Sequence, residues 1–316
     1  MESESPPQPT HVTVLLREAV EGLAPAPGKC FVDGTAGGGG HAQLILESAP
    51  DIRLLAIDRD PEAVERVARR LEAFGDRAQV VHGGFDRWRD AADAIGWSEV
   101  DGVLLDLGFS SFQMDEPSRG FSFMREGPLD MRLDPTQGMT AADLVNQEPV
   151  DELKRLFRKY GEEPAAARIA RAIVERREQG ALQTTADLAD VVVHAVPAHR
   201  RRAKIHPATL VFQALRIAVN DELGNLERFL DGLPDGLAVG GRVAIISFHS
   251  LEDRMVKHRF RALSTGCICP PDLPVCGCGR SPRMREVKRK SIRPEAGEVA
   301  ENPRARSARL RIAERV

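Results

Sequence analysis

A short apolar run, Cys30–Asp33, opens directly into Gly34-Thr35-Ala36-Gly37-Gly38-Gly39-Gly40-His41. Glycines there let the backbone turn sharply and approach a ligand closely, where a helix N-terminus begins. Gly37, Gly39 and Ala42 also satisfy the G-x-G-x-x-A dinucleotide fingerprint. A plain strand-to-helix turn does not need four consecutive glycines, so a ligand loop is the better reading. Asp58 ends a second apolar run, 21 residues beyond Gly37. A carboxylate there can accept both hydroxyl protons of a ribose, where the bland alternative is a helix-capping aspartate. Asp106 ends a later run. Acids at 33, 58 and 106 thus all fall at the carboxyl edge, where open α/β sheets bind ligands.

The acid at position 33 separates two cofactor classes. A nicotinamide dinucleotide must dock its pyrophosphate at the glycine loop, and a carboxylate immediately before it is unfavourable. A sulfonium cofactor with an ammonium group tolerates negative charge there, which favours S-adenosylmethionine over NAD. Ser247-Phe248-His249-Ser250 ends another apolar run on the same edge, and His249 reads equally as a pocket or substrate contact and as a satisfied loop histidine. Four clustered cysteines form C-x-C-x6-C-x-C (Cys267, Cys269, Cys276, Cys278). Four thiolates can enclose a tetrahedral zinc, but typical ribbons use C-x-x-C knuckles. No metal is expected on this spacing, with structural zinc at these four cysteines as the alternative.

The elements that must position these residues come in two kinds. Cys30–Asp33, Arg53–Asp58, Ala78–His82 and Val100–Leu107 are short apolar runs separated by helical segments, including a helix opened by Asp60-Pro61 and running to about Phe74. Such runs are strands covered on both faces, so a parallel, doubly wound α/β sheet follows. From about Gln113 to Val219 the pattern turns helical, with Val150–Tyr160, Pro164–Gln179 and Thr185–Val196 carrying apolar residues at three- and four-residue spacing. Thr209–Leu230 reads as one further helix, Gly241–Phe248 as a returning strand and Ala308–Glu314 as an edge strand. The domain reading is residues 10–112 with 220–316 as one discontinuous α/β domain, and 113–219 as an inserted all-helical domain for substrate recognition.

Bulk properties narrow the partners. No apolar run is long enough to span a bilayer. Residues 1–9 are acidic and Pro/Ser-rich, and read as a disordered leader with neither signal peptide nor anchor, so a cytoplasmic protein without membrane contact is expected. Aromatic residues are only 5% of the chain, which argues against binding single strands mainly by stacking. A net charge of −3 hides a local bias, since 280–293 holds seven basic residues against Glu286 alone. That stretch and His199-Arg200-Arg201-Arg202-Ala203-Lys204 are candidate phosphate contacts, as are Arg119, Arg125 and Arg132.

Several long strings carry a family resemblance: HVTVLLREAVEGL, VDGTAGGGGHA, LLAIDRDPEA, DGVLLDLGFSSFQMDEPSRGFSFMREGPLDMRLDP, YGEEPAAARIARAIVERR, KIHPATLVFQALRIAVNDEL, GGRVAIISFHSLEDRMVKHRF and ENPRARSARLRIAER. Through them, nearly the whole chain after the leader resembles the bacterial 16S ribosomal RNA cytosine-N4 methyltransferases, which act on cytosine 1402. The resemblance implies a class I (Rossmann-like) methyltransferase fold with an inserted helical domain. It implies S-adenosyl-L-methionine as cofactor, 16S rRNA in the small ribosomal subunit as partner, and transfer to the exocyclic amine. It also implies cofactor contacts at Gly39, Gly40, His41, Asp58, Phe85, Asp106 and Gln113. Asp58 and Asp106 agree with the reading of the residues themselves, whereas Phe85 alone reads as core and Gln113 as a loop polar residue.

Asp106 is the candidate catalytic acceptor for the amine proton. Many amino-methyltransferases place Asp/Asn-Pro-Pro-aromatic at this point, but here the run is Asp106-Leu107-Gly108-Phe109. Both prolines are missing, and Phe109 is the candidate base-stacking ring. The rival readings are an NAD-dependent dehydrogenase and a non-catalytic RNA-binding or assembly factor that kept the fold. Oligomeric state is not legible.

Overall fold

The structure, a computed structural model, describes residues 13–270, 275 and 277–316. The leader read at 1–9 and Cys276 lie outside the described residues. Contacts divide the described chain into two compact units, one holding Phe109–Leu223 and the other Thr10–Gly108 with Gly224–Val316.

The second of these carries the sheet. Its elements are α1 (Leu16–Leu23), β1 (Cys30–Asp33), α2 (Gly40–Ser48), β2 (Arg53–Asp58), α3 (Pro61–Leu71), β3 (Ala78–His82), α4 (Trp88–Ala94) and β4 (Val100–Asp106). Among the described residues one seven-stranded sheet forms, in the order β3-β2-β1-β4-β5-β7-β6, where β5, β6 and β7 are Leu237–Ser247, Met284–Glu286 and Arg309–Arg315. Strands β1 to β5 run parallel, while β7 is antiparallel to both β5 and β6. This is the class I methyltransferase arrangement that the resemblance implied.

Side chains one apart on each strand enter opposite cores, as a two-residue period demands. Leu54, Ala56, Leu104, Ala244 and Ile246 pack on one face with Ala19, Val20 and Leu23 of α1 and Ala42 and Ile45 of α2. Leu55, Ile57, Val103, Leu105, Val243 and Ile245 pack on the other with Trp88 and Phe229. Burial on both faces is why these strands read as continuous apolar runs.

The terminal strand departs from expectation. β7 is not an edge strand, because β5 and β6 pair on its two sides. Within it Arg311 is buried and donates to Asp253 at 2.7 and 3.2 Å. Asp253 lies in α13 (Ser250–Ser264). β6 itself falls inside the basic stretch and has no apolar pattern of its own.

The other unit is helical: α5 (Ser111–Asp115), α6 (Ala141–Gln147), α7 (Val150–Gly161), α8 (Ala166–Arg177), α9 (Thr185–Ala195), α10 (Ala198–Arg201) and α11 (Thr209–Asn220). Capping boxes start α6 (Thr140 with Asp143) and α9 (Thr184 with Asp187), each satisfying amides that the first turn leaves without helical partners. The run Thr209–Leu230 is two helices and not one. Asp221 takes a left-handed conformation (φ 49°) between α11 and α12 (Glu222–Gly236), and Asn220 is spent on the Leu133 amide and the Met131 carbonyl, both at 2.8 Å.

The ends of this unit are tied together. The Arg216 guanidinium lies 4.7 Å from the centre of the Phe109 ring and donates to both carboxylate oxygens of Glu222, at 2.8 and 2.9 Å. Phe109 also stacks on Phe121 with centroids 5.4 Å apart, so the ring read as a base-stacking candidate is already engaged inside its own unit.

Candidate active site

The start of the glycine loop is held by backbone bonds to the sheet. The Gly34 amide donates to the Leu104 carbonyl (2.9 Å) and the Ala36 amide to Ile57 (3.0 Å). Thr35 closes the gap to β4, its hydroxyl accepting the Asp106 amide at 2.6 Å. Gly34 is required by proximity, since a Cβ there would lie 2.5 Å from Leu105 Cδ2 and 3.0 Å from Phe85 Cβ. Gly39 is required by conformation: with φ 78° it is the N-cap of α2 and turns the chain into that helix. Gly40 is the first helical residue, and His41 is buried behind it with Nδ1 3.9 Å from Asp106 Oδ2.

Three acids converge on this loop from three strand ends. Asp58 accepts the Gly37 amide on Oδ2 (2.7 Å) and the Asp60 amide on Oδ1 (2.8 Å), so it shapes the loop as well as facing it. Asp33 is 1% exposed and accepts the Thr35 amide on Oδ1 at 3.2 Å, while its Oδ2 has no hydrogen-bond partner. Asp106 Oδ1 is likewise buried and unpartnered. Burying carboxylates together is costly, and the proton affinities record it, with Arg66 pulling the other way only at Asp58. Burial pushes Asp33 up to about 7, against the pull of the Thr35 and Ala42 amides and with the Asp58 charge adding to it. Burial pushes Asp58 up to about 6, against the pull of the Asp60 and Gly37 amides. Asp106 is raised well above the ordinary range, by burial first and then by the charges of Asp33 and Glu252. The cluster is short of positive charge, and two of its acceptors are short of donors. That is the environment a cationic ligand carrying N–H groups relieves.

The sequence-derived residues sort as follows. Gly39, Gly40, His41, Asp58, Phe85 and Asp106 lie in the sheet-bearing unit, where Phe85 packs edge-on against Phe229 with centroids 6.0 Å apart. Gln113 lies in the helical unit, buried, its side-chain oxygen accepting the Ser110 amide at 2.8 Å in the capping box that starts α5. His249 is the N-cap of α13, and its Nε2 lies 3.1 Å from a Glu252 carboxylate oxygen, buried and without a hydrogen bond. Glu252, which the sequence analysis did not single out, lies in the first turn of α13. It also accepts the Phe248 amide at 2.9 Å and acts electrostatically on Asp106. Its position three residues after an N-cap was the available signal.

The candidate phosphate contacts divide. Arg119 is buried and donates to the Arg132 and Leu133 carbonyls, Arg132 pairs with Asp130, and Arg200 pairs with Glu163. These three are engaged within the helical unit. Lys288, Arg289, Lys290 and Arg293 are exposed, as are Arg202 and Lys204. Cys267, Cys269 and Cys278 place their sulfurs within 4.8 Å of one another.

Comparison with known proteins assigns the family. The model of the MraW methylase family matches residues 8–316.

The chain belongs to the MraW methylase family.

Curated relatives extend over the same length. A protein of Geobacter sp. (strain M21), named Ribosomal RNA small subunit methyltransferase H, is 51% identical across 97% of this chain and 98% of its own. One of the same name from Anaeromyxobacter sp. (strain Fw109-5) is 52% identical over 97% and 98%. Another, from Nitratidesulfovibrio vulgaris (strain DP4), is 50% identical over 99% and 97%. This methylase is an enzyme, and S-adenosylmethionine is its methyl source. The residues fit that cofactor, because the unpartnered Asp33 and Asp106 oxygens are acceptors that a cationic ligand rich in N–H donors would satisfy. No helix among the described residues is long and apolar enough to cross a membrane.

Proposed function

We propose that this methylase modifies the exocyclic N4 of a cytosine in 16S ribosomal RNA of the small subunit, at the position numbered 1402 in that RNA. The observation that carries the chemistry is the pair of buried, unpartnered carboxylate oxygens at the glycine loop. The RNA assignment rests on the relatives' shared name and on the sequence resemblance.

In this reading the glycine loop, with Gly39, Gly40 and His41, receives the cofactor. Asp58 takes the ribose hydroxyls, Asp33 the ammonium, and Phe85 the adenine face. When bound, the cofactor supplies a methyl group already activated on a sulfonium. The chain's own task is alignment and charge. A cytosine amine is a poor nucleophile because its lone pair is delocalised into the ring, so in-line placement supplies much of the rate. Asp106 holds an amine hydrogen at Oδ1 and draws off proton density as the nitrogen becomes positive. A cation beside Asp106 also lowers its raised proton affinity, which keeps the carboxylate an acceptor. Residues 113–219 serve substrate recognition, and the exposed bases at 288–290 hold phosphates. Attack from an exocyclic nitrogen needs no cysteine nucleophile.

The test is transfer of radiolabelled methyl from S-adenosylmethionine to small subunits lacking the modification, followed by nucleoside mass analysis. Labelled N4-methylcytidine is the expected product. Label on another nucleoside, or on none despite measured cofactor binding, overturns the substrate assignment.

A further inference from the structure

Between α13 and β6 the chain runs from Thr265 to Arg283 with no helix or strand among its described residues. Its two ends meet. The Arg283 amide donates to the Leu263 carbonyl at 2.9 Å, and Pro282 packs against Gly266, where an added Cβ would lie 3.2 Å from the proline Cδ. Past this neck the described residues form little core, with Ile268 58% and Val275 77% exposed. A closed loop of this length with so little packing among its described residues needs another source of order to offset its conformational entropy.

The cysteines supply one. The Sγ atoms of Cys267, Cys269 and Cys278 all lie within 4.8 Å of each other, and Cys267 and Cys278 approach to 3.7 Å across eleven positions of chain. Thiolates bound at about 2.3 Å around a tetrahedral zinc stand about 3.8 Å apart. A disulfide holds its sulfurs at about 2.05 Å. The Cys269 amide also donates to Cys267 Sγ at 3.4 Å, the kind of outer contact that steadies a ligating sulfur. The C-x-C spacing left zinc as the alternative reading; convergence of Cys267, Cys269 and Cys278 favours it.

The geometry points to a structural zinc site formed by Cys267, Cys269 and Cys278, stapling the loop that leads into β6 and the basic stretch. In the sequence a further cysteine, Cys276, stands two positions before Cys278. Soft thiolate ligands select zinc over magnesium or calcium. The site is independent of the methyl-transfer reading.

The full chain, purified under reducing conditions without chelator, is analysed for metal by elemental mass spectrometry. About one zinc per chain is expected, falling to about one-tenth or less in Cys267→Ser and Cys278→Ser and unchanged in Cys30→Ser, whose cysteine lies apart in β1. In metal-stripped wild type, cobalt chloride is expected to give the thiolate-to-cobalt charge-transfer band and the strong visible bands of a tetrahedral site. This readout does not depend on how the variants fold. Wild type that holds no zinc after incubation with zinc chloride and gives no such cobalt spectrum overturns the proposal. So does zinc retained by the Cys267→Ser/Cys278→Ser double variant, or a native intact mass showing a disulfide in place of the ion.

Discussion

Replacing Asp33 by asparagine keeps the shape of a side chain that is 1% exposed and removes its titration. In the folded protein this carboxyl is pushed up to about 7 from an ordinary 3.8. The fold therefore binds the proton more tightly than the unfolded chain does. Stability is highest in acid and is lost as pH rises from about 4 to about 7, the reverse of an ion-paired carboxylate. Roughly three units at about 1.4 kcal/mol each set a penalty near 4 kcal/mol at about pH 8, and under 2 kcal/mol at about pH 5. Asparagine escapes both penalties, but its unpartnered amide hydrogens add a cost of about 1–3 kcal/mol that does not vary with pH. The diagnostic quantity is therefore how the melting-temperature gap between variant and wild type changes with pH. With an unfolding entropy of about 2 cal/mol/K per residue, the gap shifts in the variant's favour by about 4 °C between about pH 5 and pH 8. Differential scanning calorimetry of the cofactor-free protein reads it directly. The same substitution removes the proposed ammonium partner, so calorimetric titration should show S-adenosylmethionine bound at least about tenfold more weakly at about pH 8. A gap that stays constant with pH refutes the titration argument. Unchanged cofactor affinity refutes the role given to Asp33.

Asp106→Asn should reduce single-turnover methyl transfer by about 100-fold or more at saturating cofactor, because it takes away a proton acceptor; rapid-quench assays of the first turnover check this, and an intact rate excludes Asp106 as acceptor. Replacing Lys288, Arg289 and Lys290 together by alanine should lower the slope of log affinity for RNA against log salt by about 2, in filter-binding titrations. An unchanged slope would mean that these residues do not meet phosphate. Asp253→Ala strands the buried Arg311 guanidinium and should cost about 3–5 kcal/mol in denaturant unfolding, whereas removing both charges together should cost much less than the sum.

The positions of Asp33, Asp58 and Asp106 at strand ends were legible because β1, β2 and β4 are buried on both faces and stand out as apolar runs. What was not legible lay in partners distant along the chain. Arg309 and Arg311 look like the outer face of an edge strand until Asp253 is seen beside them. Met284–Glu286 becomes a strand only by pairing with β7. The break at Asp221 depends on bonds that Asn220 makes about 90 residues upstream. In the site, spacing announced the acids, but that one oxygen of Asp33 and one of Asp106 find no donor is a property of packing. Gln113 shows the opposite case: its capping role was written in Ser110-x-x-Gln113 and was passed over.

The tie between Phe109, Arg216 and Glu222 bears on how a sheet tolerates so long an interruption. A floppy segment the length of Phe109–Leu223 would charge the pairing of β4 with β5 a loop-closure entropy about 2 kcal/mol above that of a ten-residue turn. Once the helical unit is folded, its first and penultimate residues are held by one guanidinium, and most of that entropy has already been removed. To the strands on either side the insertion then behaves as a clasp of a few residues. Helices can lengthen or shorten within the inserted unit without being felt by the sheet, provided the arginine keeps hold of both ends.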